Sequence, residues 1–179
     1  MGGQKTTAAV RDAGPGDAAA CAAIYAPYVR DTAITFELEP PGAEEMAERI
    51  ADSTAGHAWV VLEDGGRVVG YAYGKVLNTR PAYRFSCEVS VYVERERRRS
   101  GAGRALYEAL FDRLRKRGYR IAVAGMTVPN DASEGLHLAL GFSLVGTYTN
   151  IGYKLGRWHD VAWFQLELAD PGTPPAEPR

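Results

Sequence analysis

Cysteine is scarce. Cys21 and Cys87 are the only two in 179 residues, too few for a disulfide framework and without the spacing of a metal site. A reducing compartment is the simplest fit. Long apolar runs are missing, so nothing approaches the length of a membrane span. The N-terminus has no apolar signal-peptide core. A soluble, cytoplasmic chain is therefore expected, with no membrane partner and no metal. An excess of one charge is missing too: 21 Lys and Arg stand against 22 Asp and Glu. Without a domain-wide basic excess, nucleic acid is not expected as a partner. The chain also lacks G-x-x-x-x-G-K-[ST] and, because residue 106 is Leu, G-x-G-x-x-G. A P-loop and a dinucleotide fingerprint are thereby excluded.

What is present centres on residues 87–118. An alternating, β-rich run, Glu88 to Val93, leads into a basic, glycine-containing turn, Arg97 to Gly103. An amphipathic helix follows, with Leu106, Leu110 and Leu114 at helical spacing. Arg113, Arg115, Lys116 and Arg117 crowd its last turn, and Gly118 suits the position after its end. A strand feeding a glycine turn that opens a helix can hold an anion, because the first helical N–H groups have no intrahelical partner. Gly101 and Gly103 would let a phosphate approach the backbone. Taken alone, R-x-x-G-x-G at 98–103 fits equally a solvated basic turn before an ordinary helix.

The remaining pattern is mixed. Residues 8–12 read as a strand with Val10 inward, and Gly14-Pro15-Gly16-Asp17 as a turn. Residues 18–25 read as a helix that Pro27 should disturb or end, followed by a helix remnant and a loop at 32–36. A short helix is expected over 44–52, and strands over 58–63 and 67–76 joined by the hairpin turn Asp64-Gly65-Gly66. Residues 77–85 lack a period and contain Pro81, so they read as a loop. The fourth strand covers 86–93 and the central helix 104–117. Residues 120–126 are almost uninterruptedly apolar, as in a strand buried on both faces. Asn130 should cap a helix running to Leu140, ended by Gly141. Strands are expected over 143–151 and 160–167. The fold class is α+β: one domain, a mixed central sheet flanked by helices. Residues 1–7 should be a flexible start, and the proline-rich residues 170–179 a disordered tail.

V-Y-V, then R-R-S-G-A-G-R and a long helix, together with P-N-D-A-S-E-G-L-H-L-A-L-G-F at 129–142, resemble the GNAT acetyltransferases over residues 10–168. R-P-A-Y-R-F-S-C-E-V-S-V-Y-V and L-H-L-A-L-G-F narrow the resemblance to the phosphinothricin and methionine sulfoximine N-acetyltransferases. The resemblance implies acetyl-CoA as co-substrate and a small amino acid analogue as acceptor, acetylated on its α-amino group and so detoxified. It implies fourth and fifth strands that splay apart around the thioester, and a homodimer. For the cofactor it implies the backbone of Val91, Tyr92 and Val93 against the pantetheine arm. Arg98, Arg99, Ser100, Gly101, Ala102, Gly103 and Arg104 would serve the phosphates, with Arg97 adding charge, and Asn130 would make a further contact.

Strand alternation puts Glu88, Ser90 and Tyr92 on one face and Cys87, Val89, Val91 and Val93 on the other. A partly buried Glu88 would be a stronger base; the other reading is an ion pair with an arginine. His137 stands where many GNAT enzymes have a Tyr acid, and can exchange a proton near pH 7; the other reading is a satisfied helix histidine. The family's functional Glu and His map onto these two, and the choice of base stays open. Arg80 and Tyr83 match substrate-contacting positions, and a guanidinium suits a carboxylate or phosphinate. Phe36, Tyr73 and Ser90 are further pocket candidates. Asn78 replaces a Lys, and Pro81 an Asn, of better-known members, so two specificity positions differ. Trp158, Trp163 and Phe164 read as core or dimer packing, His159 as a loop hydrogen-bonder, and His57 has no evident partner. Two other functions are weighed: acetylation of another amine (a polyamine, an aminoglycoside or a protein N-terminus), and a non-catalytic acyl-CoA sensor. Arg80 and Arg84 speak against a polycation, and the presence of both Glu88 and His137 against the sensor.

Overall fold

The computed structural model describes residues 8–97, 100–170, 172, 177 and 178. Residues 1–7 and most of the tail, for which flexibility was expected, lie outside it.

Seven strands form one mixed sheet. They are β1 (Ala9–Asp12), β2 (Trp59–Asp64), β3 (Arg67–Val76), β4 (Ser86–Val93), β5 (Ile121–Val128), β6 (Ser143–Lys154) and β7 (Arg157–Glu167). Their order across the sheet is β1-β2-β3-β4-β5-β7-β6. Helices α1 (Ala18–Asp31) and α2 (Ala43–Gly56) cover one face, and α3 (Ala102–Arg117) and α4 (Asp131–Ala139) the other. The β2–β3 turn is as its sequence demands: Gly65 and Gly66 have φ of 61° and 76°, which side chains disfavour and glycine accepts.

Each face has its own core. On the α3 side, Leu106, Leu110 and Leu114 are fully buried against Val60, Val69, Cys87 and Val89. Each such leucine contributes roughly 1.5–3 kcal/mol of transfer free energy, which binds α3 to the sheet far more firmly than helix propensity would. On the α1/α2 side the core is aromatic: Tyr25, Tyr28, Trp59 and Tyr71 pack with Met46 and Ile50. The alternation along β4 is as expected, with Cys87 and Val89 in the first core and Tyr92 against the second.

Three expectations need correction. Pro27 does not end the first helix, which runs to Asp31. Its ring removes one helical hydrogen bond at a cost of about 3 kcal/mol. Burial of Tyr28 and Val29 in the next turn, at roughly 1.5–3 kcal/mol each, offsets that cost. The strand after α3 is not buried on both faces; Ala122, Ala124 and Met126 are buried, but Gly125 is exposed. The last two strands are longer than expected and meet at a turn through Leu155 and Gly156, both with positive φ.

Candidate active site

β4 and β5 run parallel yet pair only at Ser86↔Ile121, Cys87↔Ala122 and Glu88↔Val123. Beyond Glu88 they separate and leave a gap. Glu94 N–H donates to Val69 O at 2.9 Å, and this fixes which main-chain groups face where. In an antiparallel ladder the bonded pairs alternate. Ser90 and Tyr92 therefore spend their main-chain groups on β3, while those of Val89, Val91 and Val93 point into the gap. The Tyr28 hydroxyl donates to Val93 O at 2.5 Å. Val91 thus keeps both groups toward the gap, and Val93 its N–H. Tyr92 does not offer its main chain there: it belongs to the β3 ladder, and its ring packs edge-on against Tyr25 and Tyr28, at 4.8 and 5.2 Å.

The turn after β4 opens α3 two residues earlier than the periodicity suggested. Gly101 is its N-cap with φ of 84°, and Ala105 N is the first amide bonded back to it, at 3.1 Å to Gly101 O. The amides of Gly103 and Arg104 therefore precede the helical ladder and sit at the positive end of the helix dipole. Gly103 lets α4 approach closely: a Cβ there would lie 3.0 Å from Leu136 Cδ2 of α4. Ser100 Oγ donates to Arg97 O at 2.6 Å. Arg97 is held by Asp64 at 2.5 Å, and Arg104 reaches Glu108 and Ala139 O, both at 3.2 Å, so neither guanidinium is turned toward a ligand. Arg98 and Arg99 lie outside the described residues. The anion-binding character of this turn rests on its backbone. Asn130 caps α4, accepting from Ser133 N at 3.2 Å.

Glu88 stands where the two strands part. Its side chain is 22% exposed, and its Oε1 lies 3.2 Å from Lys75 Nζ. The ion-pair reading is thus realised with a lysine, not an arginine. Lys75 lies on β3, within the strand expected over 67–76. Tyr73, next along the same face, stands opposite Ser90 in the β3–β4 register. A cavity of about 620 Å³ opens here between α2 and the sheet, walled by Tyr25, Trp59 and Tyr73 and edged by Glu37, Arg49 and Lys75. Arg49 grips Glu37 with both nitrogens at 2.7 and 2.9 Å, and Tyr25 donates to Glu37 at 2.9 Å. Burial works against the Glu37 charge, but the bonds from Arg49 and Tyr25 outweigh it and hold its pKa below the usual range.

His137 is 3% exposed. Its Nδ1 lies 2.7 Å from Ser133 O and its Nε2 3.1 Å from the Tyr107 hydroxyl. A carbonyl can only accept, so Nδ1 carries the hydrogen and Nε2 accepts from Tyr107. Burial lowers the His137 pKa, and the bond to Ser133 only partly compensates. The imidazole is neutral and satisfied, between Phe142 and Phe164. Tyr107 escaped the sequence reading because its position on the buried stripe of α3 looks apolar.

The expected acceptor loop is exposed. Asn78 Oδ1 accepts from Arg80 N at 3.0 Å, Tyr83 is 43% exposed, and the Arg80 guanidinium has no partner among the described residues. Arg84 pairs with Glu177. Phe36 does not line the cavity; it lies over Gly152 of β6, where a Cβ would meet its ring at 2.2 Å. Lys154, buried at the end of β6, donates to Thr35 O at 2.7 Å and steadies this segment. His159 sits on β7 rather than in a loop, and its Nε2 donates to Lys154 O at 2.9 Å. His57 stacks on Tyr119 with ring centroids 4.9 Å apart. Phe164 is core, Trp163 covers Gly125, and Trp158 is exposed.

Residues 10–163 match the model of the acetyltransferase (GNAT) domain. A phosphinothricin N-acetyltransferase from Streptomyces viridochromogenes is 34% identical over 174 residues, 97% of this chain and 95% of that protein. An L-methionine sulfoximine/L-methionine sulfone acetyltransferase from Pseudomonas aeruginosa is 38% identical over 170 residues, 90% of this chain and 95% of that one. The crystal structure of a phosphinothricin acetyltransferase from Sinorhizobium meliloti in complex with acetyl-CoA superposes with a TM-score of 0.91 at 39% identity, covering 96% of this chain and 94% of the other.

Proposed function

The chain belongs to the GNAT acetyltransferase family, and on that premise we propose that it moves the acetyl group of acetyl-CoA to the α-amino group of a small amino acid analogue. Phosphinothricin, methionine sulfoximine and methionine sulfone define the acceptor class, as the names of its relatives do for them. The observation that carries this reading is the position of Glu88 at the point where β4 and β5 part. A carboxylate there stands beside any thioester laid along the free edge of Val89 and Val91. The gap fits the pantetheine arm, whose amides need the donors and acceptors that this edge offers. The turn at Gly101 fits the pyrophosphate, through the first amides of α3.

Glu88 takes the proton of the acceptor's ammonium, directly or through water. The freed amine attacks the thioester carbonyl, which Val91 N–H polarises. The new C–N bond forms as the C–S bond breaks, and the second proton shed by nitrogen ends on sulfur. His137 takes part through the Tyr107 hydroxyl that its Nε2 accepts. Arg80 reaches for the anionic tail of the acceptor. Acetylation removes the positive charge of the amine, which is how such a product would lose its toxicity. We place the reaction in the cytoplasm, in keeping with two buried, unpaired cysteines.

We also propose a homodimer. β6 is an edge strand of 12 residues, and Leu144, Val145, Tyr148, Ile151, Tyr153 and Trp158 are each more than half exposed along it and its neighbour. A long apolar edge is a liability that a second copy removes. Gel filtration with light scattering should give twice the chain mass; a monomer overturns it.

The acceptor is tested by thiol release from acetyl-CoA with phosphinothricin, methionine sulfoximine, methionine sulfone, spermidine and an aminoglycoside side by side. Turnover on one of the first three is the expected result. Turnover on the polyamine or aminoglycoside alone overturns the acceptor assignment, and acetyl-CoA binding without turnover points to a sensor.

A further inference from the structure

Directly across the β3–β4 ladder from Glu88 stands Lys75, and the two side chains form an ion pair at 3.2 Å. Lys75 also lines the cavity between α2 and the sheet. The other basic side chain at that cavity, Arg49, is already committed to Glu37 and to Glu45. Lys75 has Glu88 as its one carboxylate partner within salt-bridge distance among the described residues. Burial works against its charge, yet the carboxylates of Glu88 and Glu37 outweigh that and hold the ammonium's pKa above the ordinary lysine value. Its side chain is half exposed, and ion pairs with that much solvent access are weakly held.

A free amino acid is a zwitterion, with an ammonium and a carboxylate a few ångströms apart. The Lys75–Glu88 pair presents the complementary charges at similar separation. We propose that Lys75 is the anchor for the acceptor's α-carboxylate, and that binding exchanges partners: the acceptor's carboxylate replaces Glu88 on Lys75, and its ammonium replaces Lys75 on Glu88. One event then selects an amino acid and frees the base to receive a proton. The ammonium gives its first proton to Glu88, nitrogen forms the bond to the acetyl carbon, and the sulfur leaves with the C–S electron pair. The second proton passes to sulfur, and the third stays on the amide nitrogen. An acceptor without a carboxylate leaves the Lys75 ammonium facing the incoming ammonium, which opposes binding. Charge across this site therefore excludes simple amines as well as favouring amino acids.

This inference rests on the acetyltransferase reading above. The test compares kcat/KM for L-methionine sulfone and for its carboxamide in the wild-type chain, in Lys75→Met and in Lys75→Arg. The wild-type chain should prefer the free acid by roughly 10- to 100-fold, the range of one charge-assisted hydrogen bond. Lys75→Met should bring that ratio to within a few-fold of one, mainly by raising KM for the acid, and Lys75→Arg should restore most of it. A merely structural lysine would lower both substrates together and leave the ratio in place. If the wild-type chain acetylates methionine sulfone and Lys75→Met keeps the wild-type ratio, this inference alone is overturned. If the wild-type chain acetylates neither compound, the acetyltransferase reading for this acceptor class fails, and the inference with it.

Discussion

The two faces of the sheet are built from different chemistry. Under α3 and α4 the core is mostly aliphatic, and its buried polar side chain, His137, is neutral and bonded at both nitrogens. Under α1 and α2 the core is richer in aromatic rings, with Trp59 packed against both Tyr71 and Tyr73 at 5.2 and 4.4 Å. Its edge carries charge: Arg49 with Glu37, and Lys75 with Glu88. The gap between β4 and β5 lies on the seam between them. A close-packed aliphatic face holds main-chain edges and helix termini rigid, which suits a ligand recognised through its amides and phosphates. An aromatic face edged with charge distinguishes one small zwitterion from another. The same division separates the two candidate catalytic side chains. Glu88 is partly exposed and faces Lys75, whereas His137 is enclosed and neutral.

The contrast is most directly broken at Glu88. Glu88→Gln keeps the shape and removes the base, so kcat should fall by roughly 10²- to 10⁴-fold, with acetyl-CoA affinity by calorimetry within a few-fold of wild type. His137→Ala should cost distinctly less kcat. A near-normal kcat in Glu88→Gln, or the reverse order of the two losses, would move the chemistry to the other face.

Next in size is stability on the aliphatic side. Leu110 is fully buried, and Leu110→Ala should lower the unfolding free energy by about 2–5 kcal/mol in urea titration. A loss below about 1 kcal/mol would show that α3 is not seated as tightly as its packing indicates.

The smallest expected effect is electrostatic. Burial depresses the pKa of His137, with partial compensation from the Ser133 bond, and burial and the Arg117 charge depress that of His57. Above the unfolded value of about 6.5 both states are neutral and nothing is lost. As pH falls below it, the unfolded chain binds protons that the folded chain refuses. Stability then declines by at most about 1.4 kcal/mol per pH unit per histidine. His137→Gln should flatten the decline between pH 6.5 and 5, with His57 retaining its share. An unchanged slope would mean that His137 takes up its proton in the folded state.

Much of the fold was legible because its signals are local. The Gly65–Gly66 turn fixes the β2–β3 register, the leucine stripe marks α3, and alternation along β4 assigns its faces. Pro27 misled because local cost was set against burial that only the assembled core supplies. The site divides in the same way. Glu88 and the Gly101 turn could be found from strand alternation and from a glycine before a helix. The Lys75–Glu88 pair could not, because a long loop joins β3 to β4 and no tight turn sets their register. The partner of His137 was hidden for a similar reason, since Tyr107 belongs to another helix.

The sequence by itself therefore determined most of the elements, the two faces of β4, the helix terminus that can hold an anion, and the family. Those follow from periodicity, capping and motif, which act over a few residues. Tertiary structure alone decided that β4 and β5 part after Glu88, that Arg97 and Arg104 are engaged elsewhere, that His137 is enclosed with Tyr107, and that a lysine stands opposite the base. Each of these depends on groups distant in the chain being held together by packing, and no local pattern encodes that proximity.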